Sequence, residues 1–142
     1  MCFTAGQLPV AAELAKACEN TQLILDHCGV PDIACGGLDP SGKNIFELAR
    51  SPNVVCKISD VLAYCAPGTA SEKTIQPYID HVINVFGADR LVWGSDWPVI
   101  DLANGLQDWL EGTRAVLSHM STEEAEKLAN RTASRIYAAS IR

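Results

Sequence analysis

Leu91-Val92-Trp93-Gly94-Ser95-Asp96-Trp97-Pro98 is an apolar run that ends in a carboxylate and turns at once on a Trp-Pro pair. A buried parallel strand delivers a polar side chain in this way to the open end of its sheet, where α/β enzymes keep their chemistry. Two further stretches are built alike. Leu23-Ile24-Leu25-Asp26-His27-Cys28-Gly29 ends in a histidine, and Val54-Val55-Cys56-Lys57-Ile58-Ser59 ends around a lysine. Three apolar strands that each finish in a different ionisable group point to part of an active site rather than to core packing.

The intervals between these runs read as helices. A short strand over 2–5 is expected first, then a helix from about 9 to 19, with Pro9 in its first turn and Val10, Leu14 and Cys18 at helical spacing. The strand over 22–27 follows, and Asp39-Pro40 supplies a cap and a first helical residue for a helix over 41–50. Ser51-Pro52-Asn53 breaks that helix before the third strand. Ile75, Ile79, Val82, Ile83 and Phe86 share one face of a helix over 72–86, with Gly87 just past its end. After the fourth strand come a helix over 102–119 and a last helix opening at Ser121, where Glu124 completes a capping box.

Four strand-helix units in a row predict an α/β fold with a parallel sheet and right-handed crossovers. Strand alternation places Leu25 with His27, Val55 with Lys57 and Ser59, and Val92 with Gly94 and Asp96, so the polar tips converge at one mouth. A TIM (β/α)8 barrel needs eight units and about 250 residues. The 142 residues here form one continuous unit that amounts to half a barrel.

Composition narrows the function. A net charge of -6, with eleven Lys and Arg scattered singly, argues against a nucleic-acid or anionic-membrane surface. No apolar run approaches the roughly 18 residues of a membrane span. Met1 to Gly6 shows no basic region followed by an apolar run, so a cytoplasmic location is expected. The six cysteines have irregular spacings without a C-x-x-C pair and read as reduced thiols.

Pattern and spacing by themselves support an α/β enzyme with a His27-Lys57-Asp96 constellation. Asp96 is a carboxylate held by a rigid strand, suited to accept a proton, or else the cap of an Asp-Trp-Pro turn. His27 is a functional imidazole or a hydrogen-bonded core histidine. Lys57 pairs with a carboxylate or hydroxyl of an anionic substrate, or holds a buried ion pair with Asp96 as one candidate partner. Trp97 and Tyr64 line a pocket or pack beneath loops. Asp26, on the opposite face from His27 by alternation, is expected to fix a loop or a helix N-terminus. His81, His119 and Trp109 read as structural, and Glu123, Glu124 and Glu126 as a solvated face.

Leu25-Asp26-His27-Cys28-Gly29-Val30-Pro31, Val55-Cys56-Lys57-Ile58-Ser59 and Asp89-Arg90 through Trp97-Pro98 resemble the amidohydrolase-related family, in its sugar-lactonase-like and dicarboxylate-lactonase branch. Thr132-Ala133, Arg135 and Tyr137 resemble the closing helix of that family. The resemblance implies the C-terminal half of a TIM barrel of the metal-dependent-hydrolase type. It also implies hydrolysis of a small sugar or dicarboxylate lactone. Asp96 would activate water, His27 would polarise the carbonyl directly or through a metal, and Lys57 would assist; Trp97 and Tyr64 would contact substrate. In metal-using members His27 and Asp96 would be ligands of one divalent ion, zinc or manganese; other members use none. A zinc-dependent decarboxylase of the same superfamily is the enzyme alternative. An inactive half-barrel that associates with itself through exposed sheet edges is the non-enzyme alternative. The sequence departs from the family at the His-x-His strand, since no two of His27, His81 and His119 are two apart. It also has Asp60 where glycine is usual, and Ser41-Gly42 where an aromatic-basic pair is common.

Overall fold

The computed structural model describes residues 1–38 and 41–138. Three parallel strands, β1 (Leu23–Leu25), β2 (Val54–Ser59) and β3 (Leu91–Gly94), lie side by side in the order β1-β2-β3. The register sets Leu25 against Cys56, Cys56 against Leu91, and Ser59 against Gly94. Helices α2 (Ser41–Ala49) and α3 (Glu72–Phe86) make the two crossovers, and α1 (Leu8–Ala17) precedes β1. After β3 come α4 (Gly105–Ser118) and α5 (Thr122–Glu126). A π-helical turn (Lys127–Arg131) joins α5 to α6 (Thr132–Ala138). The expected Asp39-Pro40 cap lies outside the described residues.

The sheet is covered unequally. Leu25, Val54, Cys56, Ile58 and Leu91 point to the outer helices and share a core with Leu8, Leu48, Ile75, Ile79, Phe86 and Trp109. Each aliphatic side chain buried to this extent contributes about 1.5–3 kcal/mol relative to exposure. On the other face, Val55 and Val92 pack with Ile24 against Ile136 and Ala133 of α6. β2 is therefore apolar on both faces over its first half, as a central parallel strand requires.

Two polar side chains stitch the N-terminal ends of the strands, away from the mouth. Asn53 Nδ2 donates to the carbonyls of Ala15, Cys18 and Thr21. The Arg90 guanidinium donates to those of Ala49, Ser51 and Phe86 and lies over the Phe86 ring. These bonds add side-chain donors to loop and helix-end carbonyls, two of which, Cys18 O and Ser51 O, also accept from Thr21 N and Val54 N.

Several expectations are corrected. Residues 2–5 form no strand, so the sheet has three strands; Met1 alone pairs with β1, its amine donating to Ile24 O and its carbonyl accepting from Asp26 N. The buried face of α1 is Leu8, Ala11, Ala12 and Ala15, whereas Val10 and Leu14 are exposed. Small alanines let α1 approach α2 closely, and a reading weighted toward large apolar residues selects the wrong face. The helix expected from residue 102 starts at Gly105, because Val99–Leu102 forms a separate 3-10 turn anchored by the buried Ile100. α3 and the Ser121-Glu124 capping box are as expected. No helix among the described residues is long and apolar enough to cross a membrane.

Candidate active site

At the C-terminal end of each strand the backbone leaves the β region for the left-handed one. φ is +53° at His27, +49° at Asp60 and +58° at Asp96, and Cys28 and Val30 beside His27 are also positive. None of these is glycine, and among the described residues every non-glycine positive φ follows the C-terminal end of a strand. Each such residue stores about 1–3 kcal/mol of strain, which the packed sheet holds in place.

The left-handed turn at His27 breaks the alternation expected from β1. Leu25 faces the outer helices, so Asp26 shares the inner face with Lys57; its expected role at a loop or helix N-terminus is thereby corrected. His27 then swings back inward. Ser59 Oγ lies 2.9 Å from His27 Nδ1, and Asp96 Oδ2 lies 3.9 Å from the same nitrogen. The Tyr64 ring meets the imidazole edge-on, with centroids 6.5 Å apart.

Lys57 Nζ is 2.6 Å from Asp26 Oδ1, so the partner of the lysine is Asp26 and not Asp96. The Met1 amine adds a second cation 3.2 Å from Asp26 Oδ2. Burial by itself would raise the Asp26 carboxyl, but Lys57 and the amine bring it below the usual carboxylate range. Burial would likewise lower Lys57, and its bond to Asp26 outweighs that and raises it. The pair is locked in its charged form.

Asp60 has a different environment. The residue is 4% exposed, its carboxylate lies beside that of Asp96, and its Oδ1 is buried without a hydrogen-bond partner. Burial first, and then the Asp96 charge, push its pKa up to about 6. Burial and the nearby Asp60 charge also raise the Tyr64 phenol. Lys57 is held by Asp26 and acts on Asp96 through its field alone, while the His27 imidazole favours the ionised form of Asp60. Asp60 and Asp96 therefore stand side by side at the mouth, with Lys57 ion-paired to Asp26.

The end of β3 is positioned from behind. Trp109 Nε1 donates to Gly94 O and Trp93 Nε1 to Thr113 Oγ1, each at 2.9 Å, so α4 holds the strand where it delivers Asp96. A side chain at Gly94 would meet Lys57 Cδ at 3.1 Å and Ser59 Cβ at 3.2 Å; glycine leaves room for both. The Trp97 N–H goes to Ser95 Oγ, and the indole is 65% exposed at the rim, after which the Trp97–Pro98 peptide is cis.

His81 lies elsewhere, its Nε2 bonded to Gly42 O, and His119 is an exposed residue at the end of α4. Sequence reasoning brought His27, Lys57, Tyr64 and Asp96 to one region. It missed Asp60, whose signal was an acidic residue directly after a strand at a position that requires a left-handed backbone. It also missed Asp26 as the partner of Lys57.

The residues present were tested against a divalent ion. His27 Nδ1 and Asp96 Oδ2 converge, but Nδ1 is already engaged by Ser59. Among the described residues no group of three His, Cys, Asp or Glu side chains is arranged to hold a metal. Zinc takes three or four protein ligands, so this donor set does not form a zinc site by itself.

The model of the amidohydrolase family matches residues 1–139. This chain belongs to that family. It is 36% identical over 106 residues to an L-fucono-1,5-lactonase of Burkholderia ambifaria, covering 75% of this chain and 36% of that protein. It is 30% identical over 98 residues to a 4-sulfomuconolactone hydrolase of Rhizobium radiobacter, covering 69% and 32% respectively. The crystal structure of an amidohydrolase from Burkholderia multivorans with bound zinc superposes with a TM-score of 0.88 at 31% identity, covering 95% of this chain and 50% of that one. The chain thus spans about half of that structure or less of the relatives, and its fold is one half of the family's TIM barrel.

Proposed function

We propose that this amidohydrolase chain carries the acid-base half of an active site that hydrolyses a small lactone, a sugar lactone by preference. The observation that carries the reading is the convergence of His27 and Asp96 from two strand ends, 3.9 Å apart, with the neighbouring lysine already taken by Asp26. A carboxylate fixed by a strand is suited to remove a proton from water. The lactonase relatives agree in reaction class.

In this scheme Asp96 accepts a proton from water as the water oxygen bonds to the lactone carbonyl carbon. Ser59 donates its hydroxyl proton to His27 Nδ1, which leaves Nε2–H to hydrogen-bond the developing oxyanion. The ring C–O bond then breaks, and Asp96 returns the proton to the departing ring oxygen. The product acid ionises to a carboxylate. Tyr64 orients the imidazole, and Lys57 holds Asp26. Trp97 offers an aromatic face at the rim to the substrate ring. Because the donor set does not complete a zinc site, no step is assigned to a metal.

The test is a pH-stat assay of the full-length protein against a panel of sugar and dicarboxylate lactones. Asp96→Asn is expected to lower kcat by about 10²–10⁴-fold with a smaller change in KM. Unchanged turnover in that variant, or release of CO₂ from a carboxylate substrate instead of lactone opening, would sink the reading.

A further inference from the structure

Asp60 has no part in the reaction as written, yet it is the most unusual group at the mouth. It is almost wholly buried, its Oδ1 lacks a partner, and its neighbours are Asp96, His27 and Tyr64. Its φ of +49° is one that glycine adopts without strain. Native structures rarely leave a buried acceptor unsatisfied, so a partnerless carboxylate oxygen beside the reacting groups calls for an explanation, and a donor on the ligand supplies one. Lys57 is engaged with Asp26 and the Ser59 hydroxyl with His27, while the Asp60 carboxyl meets that of Asp96 within hydrogen-bonding range.

We propose that Asp60 is a specificity residue, whose carboxylate accepts a hydroxyl of a neutral, hydroxylated lactone and repels lactones bearing a carboxylate or sulfonate close to the reacting carbonyl. The proposal rests on the lactone-hydrolase reading above. A neutral lactone enters beside two carboxylates with its hydroxyls as donors, and the bond to an ionised acceptor is of the strong, charge-assisted kind. A second anionic group on the substrate would meet Asp60 and Asp96 with Lys57 already neutralised by Asp26. The same arrangement acts after the reaction. Hydrolysis turns a neutral ring into a carboxylate, so the product is pushed out by the site that bound its precursor.

The test separates binding from turnover. Affinities of a neutral sugar lactam, in which N–H replaces the ring oxygen, and of the corresponding open-chain aldonate are measured by calorimetry on the full-length protein. The wild type is compared with Asp60→Asn and Asp60→Gly, both of which tolerate a left-handed backbone. Removing the charge is expected to tighten aldonate binding by about tenfold and to weaken lactam binding severalfold, with the larger lactam loss in the glycine variant. An aldonate-to-lactam affinity ratio that stays the same in both variants overturns the proposal. If the wild type opens no lactone while the ratio still shifts, the reaction reading falls and Asp60 stands as a binding residue. If lactones are opened and the ratio is fixed, Asp60 alone is wrong. Absence of binding to either probe refutes both.

Discussion

Asp60 and Asp26 are carboxylates of the same mouth with opposite responses to pH. Asp60 has its pKa raised from 3.8 to about 6, chiefly by burial, so the folded protein holds a proton there that the unfolded chain has already lost. Stability from this residue is therefore highest below the unfolded value and declines as pH rises from about 4 to 6. At neutral pH the ionised, buried group costs roughly 2–3 kcal/mol. Asp60→Asn in the chelator-treated, ligand-free protein is expected to be more stable than wild type by about that amount at neutral pH and above, with the gap closing toward acid. Urea midpoints across that range check it; a gap that is constant with pH would show that Asp60 is not the titrating group. Asp26 has the reverse sign. Burial opposes its ionisation, Lys57 more than compensates, and its contribution is present above 3.8 and lost as pH falls through its depressed folded value. At this scale the sequence was legible in placing Asp96 just past the end of β3, opposite His27. It was not legible at Asp26, since the left-handed turn at His27 is a tertiary feature that no period-two pattern contains.

The elements that carry the site were readable to the extent that their burial follows a single period. α3 begins and ends where its apolar face and Gly87 place it, and β2 and β3 read as continuous apolar runs. α1 was misread because its buried face consists largely of alanine, which contributes little to a hydrophobic pattern but permits close helix approach. α4 shows what such a reading cannot reach. Trp109 was rightly assigned to the core, yet its indole N–H also fixes the Gly94 carbonyl two residues before the catalytic candidate. Trp109→Phe keeps most of the buried ring and leaves that carbonyl unpaired, so a loss of about 1–3 kcal/mol in unfolding free energy is expected. If α4 positions β3, kcat in the full-length protein falls as well while KM holds. A stability loss with kcat intact would show that the strand end is set by the sheet alone.

At the scale of the whole molecule, the described residues form a half-barrel with open sheet edges. Among the described residues no strand pairs with the outer edge of β3, and the segment that continues from it displays Trp97, Val99 and Leu102, the last 88% exposed. An open edge beside exposed apolar side chains is a template for association. The 142-residue polypeptide on its own is therefore expected to self-associate in a concentration-dependent way, with a second copy covering the β3 side. Burial of one leucine is worth about 1.5–3 kcal/mol, so replacing Val99 and Leu102 by lysine should weaken the assembly by at least about tenfold. Sedimentation velocity over a wide range of concentrations distinguishes the outcomes. A wild-type polypeptide that stays monomeric throughout would mean that the rim loop and edge are already self-sufficient. Association that persists in the lysine variant would move the contact to the β1 side, where Met1 occupies only the last residue of the strand edge.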